Sequence, residues 1–154
     1  MADFVELMEE MNRYYGATQF EPVEVRTAQV REALFGSRPS AAALVARGDH
    51  RLLGLACYSL LWPAVGTTSS LFLKELYVAE AARGQGVGRA LMARLFVVAV
   101  ECGCSRIEWM TERINTGAQA FYARLGHEPI DEKIVYRVET ALASRDGAEY
   151  GSEG

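Results

Sequence analysis

No run of the chain approaches the ~20 consecutive apolar residues of a bilayer-crossing helix. Its first residues carry Asp3, Glu6, Glu9 and Glu10 where a secretory leader would be basic. These two absences predict a protein that stays in the cytoplasm. Cysteine is scarce: Cys57, Cys102 and Cys104 are odd in number and lack C-x-x-C spacing, which excludes a disulfide framework and reads as small core residues of a reduced protein. His50 and His127 stand far apart with no ligand pattern around them, so no metal site is expected. Runs of Lys and Arg are missing too, and 16 basic against 20 acidic residues leave a formal charge of −4. That excludes nucleic acid, which needs a basic face, and leans towards a cationic substrate, although the same balance also serves solubility.

Two phosphate-binding patterns are absent as well. No Gly-Lys-Ser/Thr occurs, so there is no Walker loop, and GxGxxG fails because Arg89 and Leu91 stand where its last glycine would have to be.

What is there centres on residues 71–102. Leu71 to Val78 is apolar and aromatic except for Lys74 and Glu75, the signature of a mostly buried strand. Ala79 to Ala82 follow, then Arg83-Gly-Gln-Gly86-Val-Gly88-Arg89. After them Val87, Ala90, Leu91, Leu95, Val98 and Cys102 recur at helical spacing. The glycines therefore lie at a strand-to-helix corner. The first turn of a helix leaves N–H groups unpaired at the positive end of the dipole, which suits an anion. Gly84, Gly86 and Gly88 would let a phosphate approach the main chain, with Arg83 and Arg89 as flanking donors, and a pyrophosphate is the natural guest.

The rest of the chain reads as support. Half of its 154 residues are hydrophobic, enough for one domain over 1–143, while 144–154 is small and polar and is expected to be disordered. Phe4, Leu7, Met8 and Met11 predict an amphipathic helix from Asp3 to Tyr15, and a second runs from near Pro22 to Phe35. Ala41–Arg47 and Arg51–Leu61 predict two strands around a Gly48-Asp-His50 turn, antiparallel to each other and to the central strand. Met92, Phe96, Val97 and Val100 make the helix after Gly88 apolar nearly all round, so it is expected to be buried on both sides, within the domain or against a second subunit. A strand over Ser105–Met110, a helix over Thr116–Leu125 and a last strand over Ile130–Val138 complete the reading. Tyr58 and Trp62 are candidates for an acceptor pocket, with core packing as their other reading.

Arg83-Gly-Gln-Gly86-Val-Gly88 resembles the R/Q-x-x-G-x-G/A signature of the GNAT superfamily of N-acetyltransferases. A second segment, Asn115-Thr-Gly-Ala-Gln-Ala-Phe121-Tyr122-Ala-Arg-Leu-Gly126, resembles its N-x-x-A-x-x-F-Y-x-x-x-G motif. The resemblance spans roughly Phe4 to Glu139, and the segments around Ala33–Gly36, Leu44–Ala46 and Tyr58–Trp62 look most like the diamine and polyamine acetyltransferase branch. It implies an α/β fold with a mixed, mostly antiparallel central sheet, helices on both faces, and a split beside the central strand. The family's members open with a strand, whereas this chain begins almost directly with the helix, so that either this edge strand is missing or Met1 is not the only start.

The resemblance also implies acetyl-coenzyme A as co-substrate. Its pyrophosphate would rest on Arg83, Gly84, Gln85, Gly86, Val87, Gly88 and Arg89, and its pantetheine along Leu76, Tyr77 and Val78, with Asn115 on the pantetheine side. Asn115 also fits an N-cap of the following helix. Tyr122 falls on the family's general-acid tyrosine. Glu75 is the carboxylate available as base, since a primary amine of pKa ~10.4 must lose a proton before it attacks. Lys74 stands where polyamine acetyltransferases carry the first of two acidic residues. Neighbouring strand residues face opposite ways, so only one of Lys74 and Glu75 can reach a cleft unless a bulge intervenes. The implied function is acetyl transfer to a small primary amine, by a homodimer. The alternatives are a protein or peptide amine as acceptor, and a coenzyme-binding module without catalysis.

Overall fold

A computed structural model of the chain describes residues 1–138 and Thr140. The elements run α1 (Ala2–Tyr14), α2 (Val23–Phe35), β1 (Ala42–Arg47), β2 (Leu52–Leu61), β3 (Ser69–Val78), a 3-10 turn (Glu80–Ala82), α3 (Val87–Glu101), β4 (Cys104–Trp109) and α4 (Thr116–Arg124). The strands lie in the order β1-β2-β3-β4. The first three pair antiparallel as their short connections require, and α3 carries the chain over to a parallel β4.

Each face of the sheet is covered by a helix whose apolar stripe matches it. On one side Phe4, Leu7 and Met11 of α1 meet Leu52, Leu55 and Tyr77. On the other, Leu91, Met92, Leu95 and Val98 of α3 meet Ala56, Leu71 and Leu73. Leu55, Leu71 and Leu95 are completely buried, and burial of such a side chain contributes about 1.5–3 kcal/mol. Polar ties fix α1 further. Glu9 takes Arg26 of α2 at 2.7 Å, and Glu10 accepts from the Tyr77 hydroxyl at 3.0 Å and from the Glu80 N–H at 2.8 Å. The end of α1 is thereby held against the end of β3.

Two irregularities of the sheet make room for a site. Pairing of β3 with β4 stops at Leu73 opposite Trp109, so from Lys74 to Val78 the strand has β2 on one side only. In the ladder with β2, Glu75 stands opposite Cys57 and Leu73 opposite Tyr58, which leaves Lys74 as an extra, bulged residue. The bulge changes which way β3 faces. Leu71, Leu73 and Leu76 all join the α3-side cluster, a spacing of two and then three, while Tyr77 joins the α1 side. Without it, Glu75 would share the apolar α3 face with Leu71 and Leu73.

Three expectations differ from the structure. Residues 130–138 form no strand: Ile134, Val135, Tyr136 and Val138 stand 63–88% exposed, so nothing is buried there to offset the entropy of ordering a strand. The segment meets β4 through the Lys133 ammonium, 2.9 Å from Glu108. Among the described residues the outer stripe of α3 is only partly covered: Phe96 meets the His127 ring, 5.4 Å between centres, and Phe96, Val97 and Val100 are 36%, 45% and 77% exposed. Cys102 is the exposed C-cap of α3 rather than a core residue. The expected tail over 144–154 lies outside the described residues. Among those residues no helix is long and apolar enough to cross a membrane.

Candidate active site

The free edge of β3 forms the floor of a cleft of about 280 Å³. Its walls are Tyr14 and Tyr15 from the end of α1, Trp109 and Met110 from the end of β4, and Asn115, Phe121 and Tyr122 from the loop and helix that follow. Lys74, Glu75, Leu76, Tyr77 and Val78 lie along the floor, and Arg83 and Gly88 close one end. The cleft exists because β4 diverges from β3 after Leu73 and α4 packs over the gap.

Glu75 reaches the cleft because of the bulge. Its side chain is 30% exposed, and the Lys74 ammonium lies 3.9 Å from its carboxylate. Burial pushes the Glu75 carboxyl above the ordinary carboxylate range, against a smaller downward pull from Lys74. Both residues line the cleft, so the alternation of strand side chains does not force a choice between them.

Tyr122 comes from α4, which is started by an Asn115 cap: its Oδ1 accepts from the Ala118 N–H at 3.0 Å. The helix ends at Leu125, with Gly126 at φ 84° beyond it. The Tyr122 ring packs 5.2 Å from the Trp109 ring and 5.2 Å from Phe121. Burial first, then the facing Tyr15 and Glu75, push its phenol up to about 12, so it stays protonated at neutral pH.

At the strand-to-helix corner Gly84 and Gly86 adopt φ 76° and 80°, and the position of a Cβ on either has nothing within 4 Å. Gly86 is the N-cap of α3, its carbonyl taking the Ala90 N–H at 3.0 Å. The corner is thus a backbone cradle open to solvent at the positive end of a helix, which fits a phosphate group. Gly88 has a different reason. A Cβ there would lie 3.2 Å from Phe121 Cζ, so this glycine lets α4 pack against the first turn of α3. Gln85 braces the loop by donating to the Ala81 carbonyl at 3.0 Å, Val87 packs into both cores, and Arg89 is exposed.

Arg83 is turned back towards β3. Its Nε donates to the Val78 carbonyl at 3.2 Å, an Nη donates to the Tyr77 hydroxyl at 3.3 Å, and the guanidinium lies over the Tyr14 ring. Tyr77 itself is 4% exposed, its phenol pushed up to about 12 by burial and then by Glu10.

The sequence reading missed Tyr14, Tyr15, Trp109, Met110 and Thr111 as cleft residues. The adjacent aromatics before Gly16, at the end of an amphipathic helix, were the visible signal for the first two. Tyr58 and Trp62 are not in the cleft. Tyr58 packs on the α3-side cluster, and Trp62 is 69% exposed at the far end of β2, bonded to the Thr67 carbonyl at 2.9 Å. Cys57 borders Glu75, and burial followed by that carboxylate raises its thiol to about 11, which keeps it inert.

Residues 4–127 match the Acetyltransferase (GNAT) family. An aminoglycoside N(6')-acetyltransferase type 1 of Serratia marcescens is 34% identical over 118 residues, covering 74% of this chain and 80% of that enzyme. A D-amino-acid N-acetyltransferase of Saccharomyces cerevisiae is 33% identical over 77 residues, half of this chain, which spans 42% of the yeast enzyme's length. Among solved structures, an integron cassette protein from the mobile metagenome of V. cholerae superimposes with a TM-score of 0.83 at 29% identity, over 93% of this chain and 88% of that one. With the diverging β3 and β4, the glycine corner and the Asn115–Gly126 helix in place, the chain belongs to the GNAT family of acetyltransferases, which use acetyl-coenzyme A as acetyl donor.

Proposed function

We propose that the protein transfers an acetyl group from acetyl-coenzyme A to the primary amine of a small molecule, by direct attack of the amine on the thioester. The observation that carries this reading is the convergence of Glu75 and Tyr122 on one cleft beside the free edge of β3, with Arg83 and Gly88 of the glycine corner at its end. Gly84 and Gly86 would hold the pyrophosphate, with the main chain of Leu76 to Val78 along the pantetheine and Asn115 beside it. The coenzyme would supply the activated acetyl group.

Each side chain then has a defined task. Glu75 takes a proton from the acceptor ammonium, and its raised pKa brings it nearer the pH at which a base works well. Tyr122 faces the leaving sulfur. A phenol near 12 is a weak acid, so it acts first by hydrogen bonding to the charge that grows there, and the proton follows as that charge develops.

The small-amine acceptor, from polyamines and diamines to aminoglycosides and amino-acid-like compounds, is supported by the substrates for which the Serratia and yeast relatives are named and by the aromatic walls around Glu75. The exposed Val97 and Val100 of α3, beside the half-exposed Phe96, support a homodimer. The test is release of free thiol from acetyl-coenzyme A against spermidine, putrescine, lysine analogues, an aminoglycoside and a histone-type peptide, with the mass in solution read from the same preparation. Acceleration by a small amine, at twice 17.0 kDa, is expected. Acceleration by the peptide alone would overturn the acceptor class, silence with confirmed coenzyme binding would overturn catalysis, and a single-chain mass would remove the dimer.

Lys74 gives a check on the base. Its ammonium pulls the Glu75 carboxyl down, against burial that raises it. In Lys74→Met only burial remains, so Glu75 stays protonated to higher pH. The acidic limb of kcat/KM should move to higher pH, and an unmoved limb would remove Glu75 as the base.

A further inference from the structure

Arg83 occupies the cleft in a way that the proposed function does not use. Its guanidinium carbon lies 4.6 Å from the centre of the Tyr14 ring and 5.5 Å from that of Tyr77. The Tyr77 hydroxyl gives its proton to Glu10, which leaves its lone pairs to accept from the Arg83 guanidinium. The remaining contact is the Val78 carbonyl, at 3.2 Å. Among the described residues Arg83 forms no ion pair with a carboxylate, so an aromatic face, a phenol oxygen and a backbone carbonyl hold this cation. Tyr14 is the exposed member of the set, at 56%. It is the last residue of α1 and touches Tyr15, ring centres 5.3 Å apart.

The Val78 carbonyl lies in the stretch of β3 that has no β4 beside it, the stretch assigned above to pantetheine. A ligand adding to that edge pairs with main-chain groups, and here one of those groups already carries a side chain. We infer that Tyr14 is a positioning residue that acts through Arg83: it holds the guanidinium over the Val78 carbonyl, and coenzyme binding must break that stack. Tyr14 therefore opposes coenzyme binding. Once drawn away, Arg83 reaches the glycine corner as a phosphate donor, and Tyr14 and Tyr15 are released at the acceptor side. Coenzyme loading is in this way felt at the wall the acceptor meets. The inference rests on the coenzyme reading of the cleft.

Calorimetric titration of the full chain with coenzyme A tests it without any acceptor. Tyr14→Leu removes the aromatic face at an exposed position and should bind coenzyme A about two- to fivefold more tightly, the worth of an exposed cation–π stack. Tyr14→Phe keeps the face and should bind like the wild type. In an Arg83→Ala background Tyr14→Leu should change nothing, because the group through which it acts is gone. Unchanged or weaker binding by Tyr14→Leu overturns the inference, as does a gain that persists without Arg83. If the wild type binds no coenzyme A, the coenzyme reading itself fails, an outcome distinct from failure of the Tyr14 role alone.

Discussion

Tyr122→Phe should lower turnover about a hundredfold, the low end of what a positioned proton donor contributes, and leave coenzyme affinity nearly unchanged. The substitution deletes one oxygen from a ring that packs between Trp109 and Phe121, so the aromatic wall survives. Because the phenol is pushed up to about 12, the wild-type side chain is a neutral donor across the working pH range. Loss of the donor should therefore appear as a lower kcat at every pH, with no displaced limb in the pH profile. Paired measurement of kcat and of coenzyme A affinity decides the matter. Equal turnover would take Tyr122 out of the mechanism, and a matching fall in affinity would make it a binding residue.

The second large effect belongs to the glycine corner. Gly86→Val should reduce coenzyme A affinity at least ~100-fold, for two reasons that act together. A left-handed backbone costs a non-glycine residue about 1–2 kcal/mol, and a β-branched one more, and Gly86 sits at φ 80°. The new side chain would also project into the open space at the N-terminus of α3, where the helix offers its unpaired N–H groups. The strain should lower the thermal midpoint by a few degrees for a domain of this size. The lost affinity should exceed anything that shift explains. Retained binding in calorimetry would place the pyrophosphate elsewhere.

The glycine corner was legible in the sequence because a left-handed turn leaves a local mark: Gly84 and Gly86 occupy the conformations that glycine tolerates best. The Asn115 cap was legible for the same reason, since cap and helix lie within four residues. What escaped depended on partners far along the chain. The bulge at Lys74 is a property of the β2–β3 register, and Lys74-Glu75 alone cannot show that Cys57 pairs with Glu75 and Tyr58 with Leu73. Tyr14 and Tyr15 join the cleft because Glu10 ties α1 to Tyr77, a link across 67 positions. The same limit explains the errors. Tyr58 is aromatic and close in sequence to the site, yet its side of β2 faces α3. Residues 130–138 have the composition of a strand, but their apolar side chains stand exposed and the segment does not pair with the sheet.

The contact between Gly88 and Phe121 ties the two sequence signatures into one object. The glycine of the first is the socket for an aromatic of the second, 3.2 Å from where a methyl would stand. A designer who transplanted the phosphate loop from another acetyltransferase could not treat it as a free-standing cassette. An alanine at position 88, which the family signature allows, would ask the Phe121 ring to give by a few tenths of an ångström, while a larger residue would press harder on α4, the helix that carries Tyr122. The two motifs should therefore be exchanged together, as a matched pair of parts.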